Sequence, residues 1–411
     1  MKFRKLKKIV HNKAIILIVI VFSILLLAWL AKESYNLLGS IFMSHDLGEI
    51  VKTSEPVESN IYFNYASSTN SFSPLIIKEI DKASKSLEIA VYSFKSQSIK
   101  EAVYRAVDRG VKVTLIFDLH KKEINDVLWL DLPLAIKRLD LGSSSTTYSV
   151  LMHHKFALID RGENNERLIF GSNNWTEIQD EYDQSFLFLT GSHWLVNSFG
   201  HEFDRLSFGE SGIKKLDNKS YNPKDLELIA GKFKYTVLFG PGRHNEGIND
   251  SLYKLIKEAK NSIKIMIWDL TDRNLAAELI NRASAGVRVI VIGDSFNIIN
   301  KSSAFSYLND EKKRLKLDNL EILMDASSTP LSINNNQPNN IINVVDPFLH
   351  YHMLMVDDSK ILFGTNNWSK AGSYYNDESA ILTDDVMIIE KFKSAFDYNY
   401  KNSTLVFNQG V

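Results

Sequence analysis

The sequence predicts an α/β protein built as two similar α/β/α sandwich halves behind one N-terminal membrane-spanning helix. Three observations predict it. Strand-like and helix-like segments alternate in the same order twice, an apolar run follows a basic N-terminus, and two short polar motifs recur 197 positions apart.

Residues 1–13 carry Lys2, Arg4, Lys5, Lys7, Lys8 and Lys13 and no acidic side chain. Residues 14–31 are uncharged, with Ser23 the only polar residue, a length at the short end of a bilayer-spanning helix. The basic flank assigns the N-terminus to the cytoplasm and the following 380 residues to the extracytoplasmic side of the membrane, as a single-pass anchor. A cleaved signal peptide is the alternative, although Trp29 and Leu30 before Ala31 make a poor small-x-small cleavage site. Residues 32–58 show no sustained period and read as a tether. A first domain follows over 59–230 and a second over 231–411.

In the first half, Ser86–Phe94 alternates like a strand. Ser98–Asp108 then puts Ile99, Ala102, Val103 and Ala106 on one helical face, and Arg109-Gly110 stops that helix. Val111–Phe117 is a largely apolar strand ending at Asp118. The second half repeats the order: strand Ser262–Leu270, helix Asn274–Ser284, stop Ala285-Gly286, strand Val287–Gly293, then Asp294. Upstream helices also correspond, Pro74–Ser84 with Asn249–Lys260. The halves differ in length ahead of their motifs, 43 residues from Gly110 to His153 against 64 from Gly286 to His350. The extra chain includes the Asn-rich stretch 334–340 and reads as an irregular loop, either at the mouth of a site or a surface insertion.

Composition narrows the function classes. With 45% hydrophobic and 24% charged residues the body is an ordinary globular protein. There are no cysteines, which excludes disulfides and thiolate metal sites but leaves the compartment open. Six of the 48 basic residues lie in the N-terminal flank, so the body carries 42 against 49 acidic residues, about −7. A nucleic-acid binder usually shows the opposite balance.

The chemistry is carried by His153-His154-Lys155 through Asp160 with Gly171-Ser172-Asn173-Asn174-Trp175, and by His350-Tyr351-His352 through Asp357 with Gly364-Thr365-Asn366-Asn367-Trp368. The first and third residues of each motif are two apart, hence on one face of a strand. The Asp falls near the strand end, where it can accept hydrogen bonds and fix local geometry. The Gly-Ser/Thr-x-Asn element adds a tight turn, a hydroxyl and an amide able to contact phosphate oxygens. Two imidazoles suit phosphodiester exchange without a metal or other cofactor: one attacks phosphorus, the other protonates the leaving oxygen and then activates water or an alcohol. A lone histidine is more often structural than catalytic, but two copies inside matched repeats reverse that weighting. Metal binding by His153/His154 or His350/His352 is the alternative, and no cysteine or clustered acid accompanies them.

With these motifs the chain, from about residue 59 to 411, resembles the phospholipase D superfamily, whose members carry two H-x-K-x4-D motifs around one active site. The resemblance implies His153 and His350 as the catalytic pair. It implies Lys155, Ser172 and Asn174 as phosphate-binding in the first half, with Thr365 and Asn367 in the second, and Asp160 and Asp357 as mainly structural motif aspartates. Two departures stand out. His352 occupies the place of the second lysine, so phosphate binding there should be weaker, or stronger at acidic pH. An acidic residue is also expected shortly after each Gly-Ser/Thr-x-Asn element. Glu378 fits, whereas the matching position in Tyr182-Asp183-Gln184-Ser185 reads as Gln184. If that acid orients the histidine of the opposite half, Glu378 serves His153 and leaves His350 with a neutral partner. That assigns His153 as nucleophile and His350 as general acid/base. Asp183 could substitute for Gln184 and would erase the asymmetry.

The function this implies is a membrane-anchored phosphodiesterase or phosphatidyltransferase acting on phospholipids, with the bilayer as its partner. A membrane-tethered, metal-independent nuclease and a catalytically weakened binding protein are the alternatives. The motifs report phosphodiester chemistry and are silent about what flanks the phosphorus.

Overall fold

The computed structural model describes residues 26, 51–65, 71–118, 137–140, 143–144, 149–177, 184–212, 226–242, 247–298, 300, 303–325 and 348–405. The anchor expected over 14–31 (Leu26 apart), most of the tether, the Asn-rich stretch 334–340 and Asp183 lie outside them. Among the described residues no helix is long and apolar enough to cross a membrane.

Residues 48–411 form one compact unit of mixed α/β structure around two main sheets. The seven-stranded sheet runs, edge to edge, Ser59–Phe63, Phe186–Thr190, Arg167–Gly171, Lys155–Ile159, Ser86–Val91, Lys112–Phe117 and Lys137–Asp140. The ten-stranded sheet contains the matching series Phe233–Phe239, Ser379–Thr383, Lys360–Gly364, His352–Val356, Ser262–Ile267, Arg288–Gly293 and Leu320–Asp325. It adds Leu226–Ala230 and Val51–Thr53 at one edge and Ser403–Leu405 at the other. In both sheets the motif strand lies antiparallel to the first strand of a parallel pair, Ser86–Val91 with Lys112–Phe117 and Ser262–Ile267 with Arg288–Gly293. The internal repeat is therefore a repeat of topology as well as of motif. Val51–Thr53, within the stretch read as a tether, pairs in parallel with Leu228–Ala230.

Local chemistry explains the helices between the parallel strands. Gln97–Asp108 is capped by the Ser96 side chain and Arg273–Ser284 by the Asp272 carboxylate, which accepts from Asn274 N at 2.8 Å. Each ends two residues before a chain reversal at glycine, Gly110 with φ +83° and Gly286 with φ +92°. An L side chain is strained in that left-handed region.

Side-chain alternation on the motif strands divides the core. Phe156 and Leu158 enter a cluster that lies between the two sheets, while Ala157 and Ile159 face the helices on the other side. Met353 and Met355 enter the same central cluster, and Leu354 and Val356 face outward to the second half's helices. Helices His193–Ser207 and Val386–Lys401 contribute Phe199, Phe203 and Phe392 to the centre. Aromatic edges join the halves there, Phe186 to Phe363 at 5.3 Å and Phe199 to Phe239 at 5.3 Å between ring centroids. This shared core holds the two motif strands in fixed register across the interface, which two separately folded halves could not do.

Candidate active site

The two motif histidines sit just ahead of their strands, and each is tied to the opposite half. His153 N–H donates to Asp377 O at 2.9 Å, and His350 N–H donates to Gln184 O at 2.8 Å. Buried carboxylates fix the preceding residue in each half: Met152 N–H donates to Asp118 at 2.7 Å and Leu349 N–H to Asp294 at 3.1 Å. Asp118 and Asp294 end the parallel strands noted in the sequence. Their positioning role went unread, although their matched places in the repeat were a usable signal.

His153 Nδ1 lies 2.9 Å from Glu378 Oε2, a contact between halves made by two buried side chains. Thr365 Oγ1 donates to the same carboxylate at 2.6 Å, and Asn376 Nδ2 donates to its other oxygen at 3.1 Å. Burial pushes the Glu378 carboxyl up to about 7, against the lowering influence of Lys155, Thr365 and Asn376. Lys155 Nζ donates to His153 O at 2.9 Å and lies 5.6 Å from the Tyr92 ring, whose edge is set against His153 at 4.9 Å.

His350 belongs to the same site. A backbone hydrogen bond with Ser172 of the first half reaches it, and the charges of Lys155 and His153 act on it. Burial first, and then those charges, hold the imidazole well below its ordinary value, so it is neutral at rest. Its Nδ1 has no hydrogen-bond partner. His352 is fully buried with its ring 5.0 Å from that of His350, and neither of its nitrogens makes a hydrogen bond of good geometry. Burial and the neighbouring His350 lower its pKa as well. The surroundings therefore push His352 away from the charged state that a lysine would supply.

Ser172 and Thr365 are buried, and each hydroxyl accepts from the strand that follows: Phe186 N at 3.2 Å and Ser379 N at 3.1 Å. The Asn174 and Asn367 carbonyl oxygens are buried without a hydrogen-bond partner. Asp160 and Asp357 lie at the opposite ends of the motif strands from the histidines. Asp160 accepts from the N–H groups of Ser84, Lys85 and Ser86 at 2.7–3.0 Å, and Asp357 accepts from those of Lys260, Asn261 and Ser262 at 2.7–3.2 Å. Burial works to raise the Asp160 carboxyl, but the Lys85, Ser86 and Ser84 hydrogen bonds prevail and hold it below the ordinary carboxylate range.

The structure corrects one reading. Gln184 is not the counterpart of Glu378. Gly171 pairs with Leu187 where Gly364 pairs with Ala380, so Glu378 corresponds to Ser185 and Asp377 to Gln184. The flanking hydrogen bonds agree: Asn64 N–H donates to Ser185 O at 3.0 Å where Gly240 N–H donates to Glu378 O at 2.8 Å. The Gln184 side-chain amide turns instead to Asp325. The signal was in the spacing, since Ser185 follows Ser172 by 13 positions and Glu378 follows Thr365 by 13. The resemblance of the four-residue strings Tyr-Asp-Gln-Ser and Asn-Asp-Glu-Ser concealed it.

Among the described residues one group of three side chains brings metal-capable atoms within 4.8 Å, His154, Glu202 and Asp377. Glu202 is already bound by His154 Nε2 at 2.9 Å and by Arg205, whose guanidinium supplies the positive charge a metal would bring. That cluster therefore reads as a buried ion-pair network.

The sequence and the fold have counterparts among known proteins. A family described as cardiolipin synthase, PLD-like domain, matches residues 76–207 and 252–400, more than half of the chain. The chain belongs to this PLD-like family. The expected phospholipase D resemblance is thereby established. Cardiolipin synthase 1 of Bacillus cereus is 22% identical over 362 residues, 80% of this chain and 64% of that protein. The mitochondrial cardiolipin hydrolase of Drosophila melanogaster is 28% identical over 152 residues, 32% of this chain, and the match spans only 56% of that hydrolase's length. Among solved structures, phosphatidylserine synthase from Haemophilus influenzae covers 90% of this chain with 92% of its own, at a TM-score of 0.60 and 13% identity, a likeness of fold.

Proposed function

We propose that this PLD-like protein is a membrane-anchored phospholipid phosphodiesterase or phosphatidyltransferase that works through a phosphohistidine on His153. The His153–Glu378 contact at 2.9 Å carries the reading. A carboxylate on Nδ1 holds the ring so that Nε2 is the attacking atom, and it stabilises the positive charge that develops on the ring as the P–N bond forms. The membrane anchor over 14–31 and the two α/β/α sandwich halves complete the reading, and the phospholipid names of the relatives support its substrate class.

The steps follow from the groups present. The Nε2 lone pair of His153 attacks phosphorus as the bond to the head-group oxygen breaks. His350 gives that oxygen its proton. A seated phosphodiester brings a negative charge against a neutral, desolvated His350 and shifts it toward the protonated form that this step needs. Neutral again after the transfer, His350 removes a proton from water or an alcohol, which attacks phosphorus and releases His153. Lys155 is the permanent cation for the phosphoryl oxygens, and the Asn174 and Asn367 amides add neutral contacts. Asp160 and Asp357 act by fixing the turn that precedes the neighbouring strand.

The test is turnover of phosphatidylcholine, phosphatidylglycerol and cardiolipin vesicles, with His153→Ala as control and a single-stranded oligonucleotide in chelator as a parallel substrate. Head-group release that vanishes with His153→Ala is expected. Oligonucleotide cleavage with inert lipids would replace the lipid reading by the nuclease one.

A further inference from the structure

On the His153 side of the site the Thr365–Glu378–His153 chain is complete, every member hydrogen-bonded to the next. On the His350 side the corresponding members are Ser172, Ser185 and His350. Ser185 is fully buried and its Oγ has no hydrogen-bond partner. His350 is 5% exposed and its Nδ1 has none either. Buried polar atoms without partners are uncommon in folded proteins. Here two of them lie at positions that, on the His153 side, are joined through one carboxylate.

The chemical difference between the two halves defines what would join them. A serine Oγ stands where a glutamate has Cγ. What the serine lacks beyond that point is one carbon and two oxygens, the heavy atoms of a formate ion. Lys155, whose charge reaches His350, and the imidazole itself supply the positive side of such a site. The nearby carboxylate of Asp325 is engaged by the Gln184 amide. We propose that the space between Ser185 Oγ and His350 Nδ1 is a binding site for a small monocarboxylate of formate size, which backs His350 as Glu378 backs His153. The bound ion accepts from the His350 N–H and from the Ser185 hydroxyl, and no covalent bond changes. The proposal rests on His350 being the general acid/base of the site, and it makes the enzyme responsive to small carboxylates.

The experiment uses the full-length protein with isotope-labelled histidine. Formate, titrated against chloride at constant ionic strength, is expected to move the His350 nitrogen resonance and to raise phospholipid turnover about tenfold, a fraction of what a well-placed acid/base contributes. Ser185→Glu is expected to raise the formate-free rate and abolish both responses. Ser185→Gly widens the space and is expected to extend the response to acetate, which keeps the test open if the glutamate variant fails to fold. Formate that leaves the His350 resonance unmoved, or that stimulates Ser185→Glu as much as the parent, overturns the proposal. A resonance that moves while no phosphodiester is turned over would instead sink the enzymatic reading and leave the anion site standing.

Discussion

The two halves of the site share topology and differ in charge. Both histidines are reached through a buried aspartate on the preceding residue and a backbone hydrogen bond from the other half. Beyond that frame, the His153 side holds the Lys155 ammonium and the Glu378 carboxylate, while the His350 side holds neutral His352 and Ser185 in the same places. The His350 side has thus lost one cation, at His352 of the second half, and one anion, at Ser185 of the first. A change that keeps the local charge balanced leaves no uncompensated ion in a site walled off from water, and breaking one partner of such a pair is the costly event. The comparison teaches that divergence has separated the roles: a charged, carboxylate-backed side suited to nucleophilic attack and a neutral side suited to passing a proton.

The largest expected effect is at the nucleophile. His153→Ala should lower kcat by at least about 10^3-fold while circular dichroism stays unchanged, because covalent catalysis is lost. Glu378→Gln comes next, with a loss of about 10^2-fold in kcat, the scale of a positioned acid/base pair. The pH profile sharpens this. Glu378 titrates near 7 and must be ionised to support His153, so kcat/KM should rise as pH increases through about 7. Glu378→Gln should remove that limb, and a limb that survives would assign it to another group.

The motif aspartates offer a symmetric control. Asp160→Ala and Asp357→Ala should each cost about 3 kcal/mol of stability in denaturant titration, since each carboxylate satisfies three backbone N–H groups. Activity of the folded fraction should be little changed in both. The smallest effect is expected from His352→Lys, which restores a cation on the second side and should lower KM for phospholipid about threefold, the gain of one charge-assisted contact less the cost of burying it.

Much of this was legible in the sequence, for physical reasons. The helices at Gln97–Asp108 and Arg273–Ser284 carry apolar faces, side-chain caps and glycine stops, and their observed limits fall within a residue of expectation. The parallel strands alternate at their starts and become apolar on both faces toward their ends, where helices cover one side and the shared core the other. The contact between Glu378 and the opposite half's histidine is the one that the family resemblance, and not the motif itself, made the thing to look for. What escaped was register: a one-residue choice between Gln184 and Ser185 cannot be made from four similar letters, and hydrogen-bonded partners decide it. The burial that keeps His352 neutral also escaped, because desolvation depends on what packs around a side chain and not on its neighbours in sequence.

The division of labour between the two histidines is tested most directly by trapping the covalent intermediate. A phosphodiester with an activated aryl leaving group, which needs no acid, should load His350→Ala with a stable adduct that mass spectrometry maps to His153, and should leave His153→Ala unmodified. An adduct on His350 in the His153→Ala protein would contradict the account.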